Sequence, residues 1–240
     1  MMKLNFYKGT AMKMKLQRSD KIFEYEVPLS GVTLLEALGY IKENIDSTLA
    51  FSSGCRSSVC GSCTVRVNGK EVLACAYKPK NDDLIQPLRN MPVLRDLAVD
   101  MDRALAFNKI AKAWGLPKEE ALHVSGEDAK RNELQSDCIL CSACFSACPV
   151  YAVNEDFIGP FALTRALRYV NDIRQKDIKP TIEAIQTNGI YDCTLCNECV
   201  PVCPQGVAPK QDIEILRNKS GIMGYFNPNI LAGFDDGLNF

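Results

Sequence analysis

One phrase of cysteines and proline occurs twice in this chain and fixes most of what it can become. Cys138, Cys141, Cys144 and Cys148 precede Pro149, and Cys193, Cys196, Cys199 and Cys203 precede Pro204. Each run reads C-x2-C-x2-C-x3-C-P, the spacing with which three close thiolates hold one cubane iron-sulfur cluster while the fourth reaches across to another. Zinc ribbons also use C-x2-C steps. They give no reason for a third cysteine at the next step, for the proline, or for repetition of the whole unit. A disulfide framework fits less well, since the chain opens without a secretory signal and thiols of a reducing compartment stay reduced.

The remaining cysteines form a second signature, Cys55-x4-Cys60-x2-Cys63 followed by Cys75, which is the plant-type ferredoxin spacing for a 2Fe-2S cluster. All 12 cysteines are then used, four to a cluster. Around them, Ser52-Ser53-Gly54-Cys55-Arg56-Ser57-Ser58-Val59-Cys60-Gly61-Ser62-Cys63 is rich in small residues. A chain wrapped closely around sulfide needs unusual dihedrals and exposed amides, which bulky side chains obstruct. Arg56 is placed to offset cluster charge, or is simply an exposed arginine.

The first hundred residues read as a small α+β unit. Phe23-Glu24-Tyr25-Glu26-Val27 alternates with the period of a half-buried strand, and Leu4 to Tyr7 alternates similarly, so the two are expected to pair. Thr33 and Glu36 make a capping box, with Leu34, Leu38, Ile41 and Ile45 on one helix face. Val65 with Val67, then Val72, then Leu84-Ile85 mark later strands. Hairpin, helix, cysteine loop and short strands, in that order, suit a β-grasp ferredoxin.

After Pro92 the pattern turns helical, so we expect a plant-type 2Fe-2S domain over residues 1–98 and an all-helical bacterial-type domain with two cubane-type clusters over 99–240. Phe107, Ile110, Ala111 and Trp114 share a helix face that Gly115 and Pro117 stop. Pro160 opens a second helix with Leu163, Ala166, Leu167 and Val170 inward, and Pro209 a third with Ile213 and Leu216 inward. Trp114 is expected in the core, and His123 in the connection before the first run. The pairs Asp82-Asp83 and Asp235-Asp236 read as solvated turns.

Several function classes are excluded or left to partners. The charges nearly cancel, 28 basic against 29 acidic, with no clustered basic surface for nucleic acid. No apolar stretch approaches the ~20 residues of a membrane span. Neither G-x-G-x-x-G after a strand nor G-x-x-x-x-G-K-[ST] occurs, so a partner must do the two-electron chemistry.

A plant-type 2Fe-2S domain followed by a helical domain with two such runs resembles the iron-sulfur subunit of succinate dehydrogenase and fumarate reductase, to about residue 217. The resemblance also rests on Cys60-Gly61-Ser62-Cys63, on Pro92 to Asp100 between the domains, and on Phe157-Ile158-Gly159-Pro160. It implies an electron-relay role without catalytic residues of its own. Cys55, Cys60, Cys63 and Cys75 would hold the 2Fe-2S cluster facing a flavoprotein subunit that carries FAD. Cys138, Cys141, Cys144 and Cys203 would hold the middle 4Fe-4S cluster, and Cys148, Cys193 and Cys199 the last one, nearest a quinone-reactive membrane partner.

Two positions depart from that family's usual pattern. Most members lack a cysteine at the place of Cys196 and carry a 3Fe-4S cluster there; here a fourth thiolate can complete a second 4Fe-4S cubane, the alternative being an idle cysteine beside three irons. Ubiquinone-reducing members have tryptophan and histidine where this chain has Val153 and Thr194. Both departures resemble the subgroup whose membrane partner is a separate cysteine-rich subunit like part of heterodisulfide reductase, which points to a menaquinone-type acceptor. The implied location is peripheral at a membrane, on the cytoplasmic face unless a twin-arginine partner exports the complex. The competing readings are an independent multi-cluster carrier and the iron-sulfur subunit of another flavin oxidoreductase. The apolar segment from Ile222 to Phe234 suits docking on a stable partner or packing on its own domain.

Overall fold

The alternating segment around Phe23 forms an edge strand, and its partner is the segment just before it. In the computed structural model, which describes residues 11–120 and 122–228, strands β1 (Met12–Arg18) and β2 (Lys21–Val27) pair antiparallel, with Leu16 opposite Phe23. The expected partner, Leu4 to Tyr7, lies outside the described residues. Helix α1 (Leu34–Asn44) follows, then β3 (Thr64–Val67), β4 (Lys70–Leu73) and β5 (Asp83–Gln86). The sheet order is β2-β1-β5-β3-β4, with β5 parallel to β1 and antiparallel to β3. This is the β-grasp arrangement that the hairpin, helix and loop order implied.

Helix α1 begins where the capping box predicts. The Thr33 hydroxyl accepts from the Glu36 amide and the Glu36 carboxylate accepts from the Thr33 amide at 2.7 Å, satisfying two end groups reciprocally. Leu34, Leu38 and Ile41 are fully buried, as are the sheet residues Met14, Leu16 and Ile85, each burial worth about 1.5–3 kcal/mol. Ile45, expected on the same face, is the helix C-cap and is 48% exposed, because the helix ends before that turn is complete.

Two compact units divide the chain: Met1–Met101 with Ile139–Ala147, and Asp102–Cys138 with Cys148–Phe240. The first also contains the small ribbon of β6 (Val93–Arg95) and β7 (Ala98–Val99). The second contains α2 (Asp102–Ile110), α3 (Gly126–Lys130) and α4 (Glu133–Ser136); α5 (Ala143–Ser146) belongs to the first unit. Then come α6 (Pro149–Val153), α7 (Pro160–Val170), α8 (Lys179–Ala184) and α9 (Pro209–Ile222).

Helix α2 is shorter than its apolar spacing suggests. Lys112 adopts φ 48°, a left-handed conformation that breaks the helix ahead of Gly115 and Pro117. Phe107 and Ala111 are buried, but Ile110 and Trp114 are substantially exposed, so Trp114 is not core. By contrast α7 buries Leu163, Ala166, Leu167 and Val170, and α9 buries Ile213 and Leu216, as their periodicity predicts.

At the crossing of α4, α7 and α9 the second unit buries a carboxylate. Asp212 accepts from Gln135 Nε2 and from Thr164 Oγ1, both at 2.7 Å. Burial pushes its carboxyl above the ordinary value, an effect the two hydrogen bonds partly offset. The folded chain therefore binds this proton more tightly than the unfolded chain, and stability falls as pH rises from the ordinary carboxylate value through the raised one. We expect Asp212→Asn to remove that dependence. Denaturant midpoints measured anaerobically from mildly acid to neutral pH should fall for the wild type and stay flatter for the variant; parallel curves would refute a role for this carboxyl.

Candidate metal centres

The loop bearing Cys55, Cys60 and Cys63 is anchored at its entry by one arginine. Arg18 Nε donates to Asp96 Oδ1 at 3.0 Å, and its other nitrogens reach Tyr25, Asp46 and Thr48. Asp96 in turn accepts from the Ala50 amide at 2.9 Å, and the Leu97 amide donates to the Ala50 carbonyl. Arg18 and Asp96 are both largely buried, which makes this pair stiffer than a surface ion pair. The chain thus leaves a fixed point just before the cysteines begin.

Beyond Ala50 the backbone curls so that its amides face sulfur. The Ser57 and Val59 amides donate to Cys55 Sγ at 3.3 and 3.4 Å, the Cys55 amide to Cys60 Sγ at 3.3 Å, and the Cys75 amide to Cys63 Sγ at 3.4 Å. Left-handed φ values at Arg56 and Ser58 produce the curl. These amides lower the Cys55 thiol to about 6, whereas burial pushes Cys63 up to about 11. Gly54 leaves room for sulfur: a Cβ there would stand 2.9 Å from Cys60 Sγ. Arg56 is exposed and lines a groove shared with Cys75, Glu36 and Tyr40.

The two C-x2-C-x2-C runs have one backbone design in common. In the first, the residues on either side of the second cysteine, Leu140 and Ser142, have φ 56° and 60°; in the second, Leu195 and Asn197 have φ 56° and 73°. A leucine in the left-handed region is strained, so its occurrence at both equivalent positions marks a conformation held for the cysteine between. Cys196 is therefore presented by the same local backbone as Cys141. Cys141 and Cys144 are buried, and beside them the Ser142 hydroxyl is fully buried with no protein hydrogen-bond partner. An orphaned hydroxyl there suits a sulfur acceptor.

Cys148, Cys193, Cys196 and Cys199 line a single cavity together with Pro160, Lys210 and Ile213. Cys148 caps α6 and accepts from the Tyr151 amide at 3.4 Å; Cys193 accepts from the Leu195 amide at 3.4 Å. Arg217 of α9 clamps the loop, donating to the carbonyls of Ile190 at 2.8 Å and Cys193 at 2.6 Å. Burial pushes Cys199 up to about 12 and raises Cys148 and Cys193 as well. Thiols whose ionised forms burial disfavours need a cation to become thiolates, and iron supplies one. Among the described residues no group of three or more His, Cys, Asp or Glu is arranged to hold a single metal ion. Thiolates around a cluster stand about a core of several atoms, further apart than around one ion. The donor set, inward amides and small loop residues fit iron-sulfur clusters.

Other predicted residues fall as follows. Cys138 and Cys203 are partly exposed members of the second unit. Val153 is 87% exposed and Thr194 is exposed. His123 is exposed in the connection between α2 and α3. Asp83 is not a solvated turn residue: it is buried in β5 and accepts from Asn68, Tyr77 and the Lys80 amide. Its neighbour Asp82 is the exposed turn and pairs with Lys15. Asp235-Asp236, like Ile230, Leu231 and Phe234, lies outside the described residues. In the segment before them, Tyr191 donates to the Tyr225 carbonyl and Tyr225 to Glu183, while Ile222 and Phe226 face outward. Ser142, Lys210 and Arg217 were not marked by the motif; only their proximity in the fold reveals them, whereas Gly54 belongs to the small-residue loop already singled out.

A β-grasp sheet with a plant-type cysteine loop, joined to helices that carry two cubane-type runs, defines a two-domain electron-transfer iron-sulfur protein. Residues 3–106 match the model of a 2Fe-2S iron-sulfur cluster binding domain, and residues 134–207 that of a 4Fe-4S dicluster domain. The fumarate reductase iron-sulfur subunit of Mycobacterium tuberculosis is 38% identical over 203 residues, 79% of this chain and 82% of that protein. The 8-methylmenaquinol:fumarate reductase iron-sulfur subunit of Wolinella succinogenes is 35% identical over 228 residues, 86% of this chain and 72% of that protein. A chain of the Mycobacterium smegmatis Sdh1 complex in the apo form shares the fold with TM-score 0.79 and 22% identity, over 89% of this chain and 96% of that one. This chain belongs to the family of fumarate reductase iron-sulfur subunits.

The Gly54 contact yields a direct check. Gly54→Ala places a methyl group against Cys60 Sγ and should lower the iron and labile sulphide bound at the first cluster after anaerobic reconstitution, with circular dichroism unchanged. Wild-type stoichiometry in the variant would show that the loop has room to spare.

Proposed function

We propose that this chain relays single electrons between FAD on a flavoprotein subunit and a quinone-reactive, menaquinone-type membrane partner. Cys55, Cys60, Cys63 and Cys75 hold the 2Fe-2S cluster, and Cys138, Cys141, Cys144 and Cys203 hold the middle 4Fe-4S cluster. Cys148, Cys193, Cys196 and Cys199 hold a second 4Fe-4S cluster, the last in line. Bound clusters supply one-electron redox chemistry; the residues of this chain hold them, exclude water and set their potentials through amides and charge.

The observation that carries the proposal is the cavity on which Cys148, Cys193, Cys196 and Cys199 converge. The repeated left-handed frame around Cys141 and Cys196 supports four-thiolate ligation in place of three. Support for a menaquinone-type acceptor comes from Val153 and Thr194 and from the Wolinella succinogenes relative, named for 8-methylmenaquinol. Among the described residues no helix is long and apolar enough to cross a membrane, so the membrane part falls to another subunit and this chain is peripheral to it.

Two outcomes follow. Cys196→Ser should turn the last centre towards a three-iron EPR signal in the oxidised state; a wild type already showing that signal, unchanged in the variant, would remove Cys196 from the ligand set. Ubiquinone analogues should fail as acceptors for the purified complex where menaquinone analogues succeed. Vigorous ubiquinone reduction would defeat that part, and a lone monomer persisting in high-salt purification would favour an independent carrier.

A further inference from the structure

Two loops that carry cysteines of different motifs touch through bare backbone at Gly61. This residue is buried, with φ +72°, and a Cβ built on it would lie 2.7 Å from Cys141 Cβ, 2.8 Å from Cys141 Cα and 2.9 Å from the Ile139 carbonyl oxygen. No real side chain tolerates such distances, and the atoms met are backbone or the first carbon of a side chain, which cannot swing away. Gly61 sits between Cys60 and Cys63 of the plant-type motif; Cys141 belongs to the first cubane run. Thr64 Oγ1 donates to the Gly61 carbonyl at 2.7 Å and holds the peptide in place.

The opposite side of this contact is fastened as firmly. Ser146 Oγ donates to Glu71 Oε1 at 2.7 Å and accepts from the Arg89 amide at 2.9 Å. Asn90 Nδ2 donates to the carbonyls of Phe145 and Ser146 at 3.1 Å each. Glu71 is buried, with Arg89 and Arg66 nearby at 3.5 and 3.9 Å, so the carboxylate that grips Ser146 is itself compensated. Segment 139–147, with Cys141 and Cys144, is thereby stapled to β4 and to the turn around Asn90, within the same compact unit as the plant-type loop.

We propose that Gly61 is a positioning residue for electron transfer: its missing side chain lets the Cys60–Cys63 loop rest on Cys141, fixing the gap between the first two clusters. The inference rests on the ligand assignment given under the proposed function. In the step concerned one electron would pass between the centre held by Cys60 and Cys63 and the centre held by Cys141 and Cys144, the donor being oxidised by one and the acceptor reduced by one. No proton or bond is exchanged. Tunnelling falls exponentially with the gap, so a contact already at closest approach, which one methyl group would widen, bears directly on the rate.

The test compares Gly61→Ala with Gly69→Ala in the full chain carrying its clusters. Gly69 also has positive φ, +85°, but nothing within 4 Å, so alanine there adds the same kind of backbone strain without a collision. EPR relaxation of the fully reduced protein reads the magnetic coupling between the first two centres, and flash reduction reads the transfer between them. Gly61→Ala should lose relaxation enhancement and slow the transfer, while Gly69→Ala keeps both at wild-type level. Retention of both by Gly61→Ala, or equal loss in the two variants, would overturn the proposal. Should Gly61→Ala fail to accumulate, Ser146→Ala loosens the staple from the other side and should weaken the coupling likewise; wild-type coupling in that variant would also overturn it. If the wild type itself lacks either EPR signal, the ligand assignment fails with it.

Discussion

Sulfur carries negative charge into places that exclude water, and most of the structure can be understood as a response to that. Burial first, with neighbouring cysteines adding to it, drives Cys63 up to about 11 and Cys199 up to about 12. The chain answers with amide dipoles aimed at Cys55, Cys60, Cys63, Cys148 and Cys193. Aiming amides inward goes with a tight curl, made by left-handed residues at Arg56, Ser58 and Leu195, and the same conformation recurs at Leu140, Ser142 and Asn197. That strain has to be held by the surroundings. The Arg18–Asp96–Ala50 anchor serves the first loop and the Arg217 clamp the last.

Spacing along the chain revealed the cysteines because cluster geometry demands it, and it revealed α1, α7 and α9 because their apolar faces are continuous. It failed where a local event cut a periodic pattern short. Lys112 turns left-handed and removes Trp114 from the face that its spacing suggests, and the end of α1 exposes Ile45 in the same way. Asp83 was hidden for a different reason. Adjacent acids suggest a turn, yet one of them sits on the inward side of β5, where Asn68, Tyr77 and the Lys80 amide satisfy it.

The site itself divides along similar lines. Which thiols to propose as ligands could be read from the motifs, whereas the backbone that presents them could not. Leucine gives no warning of a left-handed φ, and nothing in the order of residues announces that Gly61 meets Cys141 or that Arg217 reaches back to Cys193. The two phrases look alike in sequence, but only their dihedrals show that Cys141 and Cys196 are presented alike. That equivalence raises the fourth cysteine of the last set from a count of ligands to a geometric argument.

Under the proposed ligation by Cys196, a fourth thiolate also bears on which acceptor such a wire would serve. An additional negative ligand stabilises the oxidised state of a cluster and so lowers its potential, which suits a low-potential acceptor better than a high-potential one. The surface next to that centre agrees with this direction. Val153 and Thr194, both exposed, present no imidazole and no indole, and Thr194 adds only a hydroxyl that does not titrate near neutral pH. Under the proposed relay, then, what these residues contribute is fixed distances and tuned potentials.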